Sequence, residues 1–480
     1  MNTSVVSLSR TGLSLLLTGQ MLPLIDTSIT NVALESITRS LQATTTQLEL
    51  IVALYGITFA VCLALGSKLG DNYGRRRLFM WGVAFFGVAS LFCGLANSIH
   101  MLLGARILQG AGAALIVPQI LATLHVTLKG SAHAKAISLY GGIGGIAFIV
   151  GQMGGGWLVS ADIAGLGWRN AFFINVPVCL LVLAFSRRHV PETASETRAD
   201  IDWLGTVCLA AILCCLLFPM ALGPETGWPW QAQAALFAIL PLGWWMRKNA
   251  LRQELRHQHP LLPPRLLRLT SIRFGILIAL LFFSAWSGFM FCMALTLQMG
   301  LGMAPWESGN SFIALGAAYF ISACYAPRLI ARYSMGRILL MGLAIQIVGL
   351  AGLMMTFWHS GMQTSTFALA LAPATALIGY GQALIVNSFY RIGMRDISTQ
   401  DAGAGSAILS TLQQATLGLG PAVLGALFLH LQHNSHGDYT QSVIGFLAVE
   451  AAMMLSLVLA TLWFRRALNI NATRPCMASK

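Results

Sequence analysis

Gly66-Ser-Lys-Leu-Gly-Asp71-Asn-Tyr-Gly74-Arg75-Arg76-Arg77 separates two apolar runs, 48–66 and 78–97. Each run is close to the ~20 residues that a helix needs to cross a bilayer. Lys68 and three consecutive arginines between such runs mark a short loop on the face of a membrane where positive charge collects. Glycine at either end permits a tight turn and close helix approach. Asp71 can pair with an arginine or sit near a helix N-terminus.

Working outward with the same ruler gives fourteen apolar spans: 11–34, 48–66, 78–97, 101–125, 136–160, 170–186, 203–222, 232–247, 272–297, 308–328, 337–357, 365–390, 403–430 and 441–464. With Arg10 on the inner face, 26 of the 29 Lys and Arg residues fall on that face. Arg39 and Arg169 fall outside, and Arg106 lies within a span. An odd number of spans would scramble this alternation, so both termini are expected in the cytoplasm. The N-terminal apolar run shows no signal-peptide cleavage pattern.

Composition agrees. Of 480 residues 56% are hydrophobic and 9% charged, against about 25% charged in a soluble domain. Mean hydropathy is +0.72. Several soluble domains, disorder and a secreted disulfide scaffold are all excluded. The net charge of +13 belongs to topology rather than to a nucleic-acid partner. Nine cysteines have no C-x-x-C spacing, and all but Cys476 lie in apolar stretches; they read as small hydrophobes, with no metal site. His125, His133, His257 and His259 read as separate surface histidines at the inner face.

The chain echoes itself. Gly112-Ala-Ala-Leu-Ile-Val117 returns as Gly381-Gln-Ala-Leu-Ile-Val386, and Gly151-Gln152 falls at the same offset from Gly420-Pro421. This predicts a six-helix unit at 1–190, two inserted helices at 200–250, a cytoplasmic linker at 251–271 and a second six-helix unit at 272–480. Such repeats build many secondary transporters. The linker, basic from Arg247 to Arg273, is expected to rest on anionic headgroups.

The loop from Gly66 to Arg77 resembles the signature loop of the major facilitator superfamily; its second-unit equivalent has Tyr333 in place of Asp71. Three further stretches resemble that superfamily's fourteen-helix drug:proton antiporters, the QacA/EmrB-like exporters. They are Leu24-Ile-Asp26-Thr-Ser-Ile-Thr-Asn31-Val-Ala-Leu34, Leu103-Gly-Ala-Arg106-Ile-Leu-Gln109-Gly110-Ala-Gly112 and Trp168-Arg169-Asn-Ala-Phe-Phe-Ile-Asn175-Val-Pro177. The resemblance implies an all-α polytopic fold of fourteen transmembrane helices in a 6 + 2 + 6 order. It also implies Asp26 as the proton-coupling carboxylate with Arg106 as its partner, and Gly66, Asp71, Gly74, Arg75 and Arg76 as a conformational-switch loop. Gly145, Gly151, Gln152, Gly154 and Gly155 resemble the family's antiporter glycine motif, with Gln152 where the family places proline.

The embedded charges also speak for themselves. At 1.5 Å per residue, Asp26 and Arg106 lie about 12 and 8 Å from the outer ends of spans one and four, so a pair can form. Charges at such depth persist mainly on functional pathways. Glu450, in span fourteen, is a third embedded charge. Asn31, Tyr55, Gln109, Trp286, Phe289, Tyr319, Tyr380 and Gln382 are candidates for a substrate pocket.

The expectation is an antiporter in the bacterial inner membrane, working by alternating access as a monomer among lipids. It takes the proton gradient as its energy source, needs no cofactor, and exports lipophilic, often cationic, drugs or biocides. An exporter of one dedicated metabolite with the same proton machinery is the alternative. A non-transporting sensor or scaffold is the reading from another class; an embedded Asp and Arg without a large soluble domain argue against it.

Overall fold

The computed structural model describes residues 8–194, 201–256, 258, 260–360, 367–397, 401–435 and 438–467. Arg198, His257, His259, Arg474, Cys476 and Lys480 lie outside the described residues. Among those described, the chain forms fourteen long helical runs. The first set comprises α1 (Arg10–Leu41), α2 (Thr45–Tyr73), α3 (Arg75–Gly94), α4 (Ile99–Thr127), α5 and α6. α5 is Gly130–Ile149, a π turn at Val150–Gly154, then Gly155–Ser160; α6 is Asn170–Phe173 and Asn175–His189. α7 (Trp203–Thr226) and α8 (Trp230–Leu255) follow.

The second set comprises α9 (Thr270–Gly300, with π turns at Ala279–Phe283 and Thr296–Gly300), α10 (Pro305–Asn310 and Ile313–Arg332) and α11 (Met335–Ser360). It ends with α12 (Phe367–Gly393), α13 (Ala402–Asn434) and α14 (Tyr439–Ala467). Each expected span overlaps one of these runs; residues 365 and 366 lie outside the described residues. Ten are long and apolar enough to cross a membrane. α1 is outside that number, and Gln20, Asp26 and Asn31 within it explain why.

Helix is the form that satisfies every backbone group within its own segment, which an apolar slab demands. Polar caps set the ends. Thr44 and Gln47 form a reciprocal capping box at α2, Ser98 accepts from the Met101 amide, and Asp202 accepts from the Gly205 amide. Large apolar side chains also face outward, among them Trp81, Trp157, Leu180, Phe237 and Leu240. Lipid, not water, suits such a surface.

The sequence echo has a structural counterpart. In the first set Gly82 of α3 faces Leu115 and Ile116 of α4, so that a Cβ there would lie 2.9 and 3.0 Å from their side chains. In the second set Gly342 of α11 meets Leu384 and Ile385 of α12 at 3.0 Å each. The same two letters in the same echo fill the same helix contact twice.

The sets meet along two seams. On one, Gly56 of α2 lies against Gly418 of α13, where a Cβ would stand 2.5 Å from the Gly418 Cα. Leu213, Leu217 and Ala221 of α7 cover this seam, packing with Leu50, Ala53 and Ile57 of α2 and with Ala415, Leu419 and Ala422 of α13. On the other, the far end of α5 closes on α10. Gly156 packs on the Pro305 carbonyl, and the Trp306 amide donates to Ser160 Oγ at 3.2 Å. This contact is remote from the arginine loop.

The linker is fastened at both ends. Asp202 accepts from Gln253 Nε2 at 2.9 Å and the Leu261 amide at 3.0 Å. Arg265 bridges Glu254 and Asp401.

Candidate functional site

Asp26 and Arg106 are both fully buried, on α1 and α4. Arg106 Nη1 donates to Asp26 Oδ2 at 2.5 Å and to Gln109 Oε1 at 2.5 Å. Asp26 Oδ1 accepts from Gln109 Nε2 at 2.6 Å and from Asn175 Nδ2 at 3.1 Å. Ser90 Oγ accepts from the same two amides at 2.8 and 3.3 Å. Arg106 Nε donates to the Ile51 carbonyl of α2 at 3.0 Å, and its guanidinium lies 4.2 Å from the Tyr55 ring centroid. Helices α1, α2, α3, α4 and α6 thus all contribute to one polar knot.

The spacing of Arg106 and Gln109 places both on one face of α4, one turn apart. A buried ion pair is expensive to desolvate and survives where extra hydrogen bonds satisfy its remaining atoms. Here the carboxylate has three donors. Arg106 Nη2 has no hydrogen-bond partner among the described residues. Apart from Arg106, the groups that donate to Asp26 are neutral amides.

Tyr55 and Gln109, candidates for a substrate pocket by sequence, therefore stand in the Asp26 network. Trp286 and Tyr319 meet across α9 and α10 with ring centroids 5.9 Å apart, and Trp286 stacks with Phe283. Phe289 packs edge-on against Phe312 at 6.5 Å. Asn31 and Gln382 are buried; the Asn31 Oδ1 and both polar atoms of the Gln382 amide have no hydrogen-bond partner among the described residues. The Tyr380 carbonyl accepts from Ser322. The structure brings Trp286 and Tyr319 together, while Tyr380 packs beside Ala326, Ile338 and Leu384.

In the arginine loop, Asp71 Oδ1 accepts from Arg75 Nη2 at 2.7 Å and Nε at 3.1 Å. Gly66 packs on the Ala114 carbonyl of α4, and its own carbonyl accepts from Gln119 Nε2 at 2.8 Å. Glu192, beyond α6, accepts from the Arg76 amide at 3.0 Å and pairs with Arg76 and Arg77. A carboxylate at the start of α3 also suits the helix dipole. The Arg75 amide donates to the Thr193 carbonyl at 2.8 Å. Nothing in the sequence singles out Ser90, Ile51 or Glu192 for these roles, and Asn175 stands out only as part of a motif.

Gly74 has φ +105°, and a Cβ there would lie 2.6 Å from Glu192 Oε1. Gly74→Ala is expected to cost about 1–3 kcal/mol through its left-handed backbone. It should also displace Glu192, and thermal unfolding in detergent should show a lowered midpoint. An unchanged midpoint would mean that the loop adapts freely.

The glycine motif is a packing surface. Gly151 lies against Ser28 and the Ile25 carbonyl of α1, and Gly155 against Ile29. Gly145 lies in the preceding helical stretch, and Gly154 has open space before it. Gln152 is buried in the π turn, and its Nε2 contacts Met290 Sδ of α9 at 3.8 Å. The helix is thus interrupted where the family places proline, by a wide turn of the kind often found at functional sites. His125 and His133, expected as separate, lie in ring contact across the short α4–α5 turn, with nitrogens 2.9 Å apart.

The family model described as Major Facilitator Superfamily matches residues 16–421. The chain is 30% identical to a probable actinorhodin transporter of Streptomyces coelicolor, over 87% of this chain and 72% of that one. It is 30% identical to the multidrug resistance protein Stp of Mycobacterium tuberculosis, over 88% and 76%. Among solved structures, a proton dependent oligopeptide transporter superposes with a TM-score of 0.64, at 13% identity over 96% of this chain and 99% of that one. The last likeness is one of fold.

Proposed function

Since the chain belongs to the Major Facilitator Superfamily, a superfamily of transporters and not of enzymes, we propose that it is a proton-coupled exporter of lipophilic, often cationic, drugs or biocides. The observation that carries this reading is the fully buried Asp26–Arg106 pair among neutral amides. Burial favours a neutral carboxyl, and a neighbouring guanidinium favours a charged one. A conformational change that alters water access or the Asp26–Arg106 distance therefore changes the proton's affinity for the site.

In this mechanism the first and second sets of helices rock about their two seams. Facing outward, Asp26 is hydrated and takes a proton as substrate leaves. The neutral carboxyl then passes back through apolar surroundings more readily than a charged one. Facing inward, it gives up the proton and closes on Arg106 again, while new substrate binds. The arginine loop, with Asp71 and Arg75 paired at the end of α2, lies on the path of that movement. The helices are taken to span a bacterial inner membrane fourteen times with both termini cytoplasmic, as the basic residues divide. The chain is taken to act as a monomer.

The substrate site is assigned to the aromatic group around Trp286 and Tyr319. Apolar walls with few fixed hydrogen bonds suit varied ligands. One relative is named for a single compound and the other for multidrug resistance, so both substrate readings have a relative behind them. Expression in an efflux-deficient host is expected to raise tolerance to at least two chemically unrelated lipophilic cations. Tolerance to none would favour the dedicated-metabolite exporter.

A further inference from the structure

The junction of α2, α9, α13 and α14 holds two carboxyl groups that the coupling mechanism does not use. Glu49 of α2 is fully buried. A Cβ on Gly425 of α13 would stand 2.6 Å from Glu49 Oε1 and 3.1 Å from the Phe291 ring of α9, so glycine is what lets this side chain cross between the sets. Glu450 of α14 is 2% exposed. Among the described residues its Oε1 has no hydrogen-bond partner, and none of the ion pairs there includes it.

Register puts the two at one level. Gly425 precedes the end of α13 at Asn434, and Glu450 follows the start of α14 at Tyr439, by about 14 and 17 Å of helix. Cys292 of α9 joins them. Its Sγ reaches the Leu424 carbonyl at 3.8 Å, next to the glycine that receives Glu49, and both carboxyl groups lie within electrostatic range of it. Phe446, Leu447 and Met454 of α14 place Glu450 in an apolar core built from both sets. A lone carboxylate there is strongly disfavoured, and a proton removes its charge.

We propose that Glu49 and Glu450, one from each set, form a second proton-carrying site, which holds its proton while α2 lies against α13 and releases it to water when that seam parts. No bond but the O–H is broken, and the proton leaves as hydronium. The proposal rests on the transport reading for its purpose: the outer ends of α2 and α13 close only when this site is protonated, which ties closure to the proton that Asp26 takes up from the same side. It also has a route to Asp26, because Ile51, two residues from Glu49, accepts the Arg106 Nε hydrogen bond.

Among the described residues, few other titratable groups face this junction; α4, packed on α2, brings Arg106 to the Ile51 carbonyl. From α9 there is Cys292, and Arg273 stands at that helix's other end. α13 carries His430 and His433, both exposed near its end. α11, packed on α14, has Arg337 and His359 near its two ends, and α2 continues to Tyr55 and Cys62 on later turns.

The test uses the full chain in liposomes with Cys62, Cys214, Cys215, Cys324 and Cys476 replaced by Ser and spin labels on Gln42→Cys and His433→Cys, both exposed positions. Infrared difference spectra between acid and alkaline buffer should show a protonated-carboxyl band that Glu450→Gln loses and Glu450→Asp keeps. The label spacing should lengthen in alkali in the parent, and stay constant in Glu49→Gln/Glu450→Gln. An unchanged band in Glu450→Gln, or a parent-like response in the double variant, would overturn the proposal. Retention of the response in Asp26→Asn separates the two sites. If Asp26 proves unnecessary for exchange while this response persists, it is the coupling reading that fails.

Discussion

Asp26→Asn is expected to reduce gradient-driven export to the level of empty liposomes, with the protein still inserted and still binding substrate. The asparagine is neutral at every pH, so it resembles the protonated carboxyl and cannot release a proton. Its oxygen can still accept from Gln109 and Asn175, the donors now on Asp26 Oδ1. Its amide nitrogen then faces Arg106 Nη1, donor against donor, and Arg106 keeps Gln109 Oε1 as acceptor. The substitution also leaves Arg106 a buried charge without its counter-ion, at a cost of about 3–5 kcal/mol, so insertion and substrate binding are measured alongside transport. The decisive measurement is proton flux in proteoliposomes on adding a transported lipophilic cation. Exchange at the unmodified rate would place coupling elsewhere, with Glu450 the next candidate.

Arg106→Ala carries the second large effect. Removing one partner of a buried pair typically costs about 3–5 kcal/mol, unless the remaining carboxyl takes a proton. Asp26 is then held neutral, and export should fall nearly as far as in Asp26→Asn. Arg106→Lys should not restore it. The guanidinium reaches the Ile51 carbonyl through Nε and both Asp26 and Gln109 through Nη1, and lies over Tyr55. A lysine ammonium has the charge without the planar fork. Full exchange in Arg106→Lys would show that charge alone is what the site requires.

Much of this is legible from residues alone, for a physical reason. Charge inside an apolar helix is rare, so Asp26 and Arg106 stand out, and counting along two helices puts them at comparable depth. Their direct contact bears that arithmetic out. The rest of the knot is hidden because its members are ordinary. Ser90 is one hydroxyl in an apolar run, and the Ile51 carbonyl belongs to the backbone, which carries no sequence signal. Gln109 is visible as a polar residue, yet its turn toward Asp26 rather than toward a pocket depends on how α4 is rotated against α1.

Glu49 escapes notice in the sequence because it stands at the predicted edge of its span, where a charge reads as reaching for the surface. α13 extends past it, and Gly425 receives it. Glu192 lies beyond the last helix of the first set, and only folding brings it 116 positions back to Arg76. Gln152 breaks a familiar pattern without removing the interruption in the helix.

The covering of one seam by α7 makes the protein lopsided toward its solvent. Along α2 and α13, acyl chains meet a third helix before they reach the line where the two sets join. Along α5 and α10, the described residues place no inserted helix over that line, and the bilayer itself is the wall. A molecule dissolved in the lipid thus has one flank from which to approach the interior and one that is shuttered.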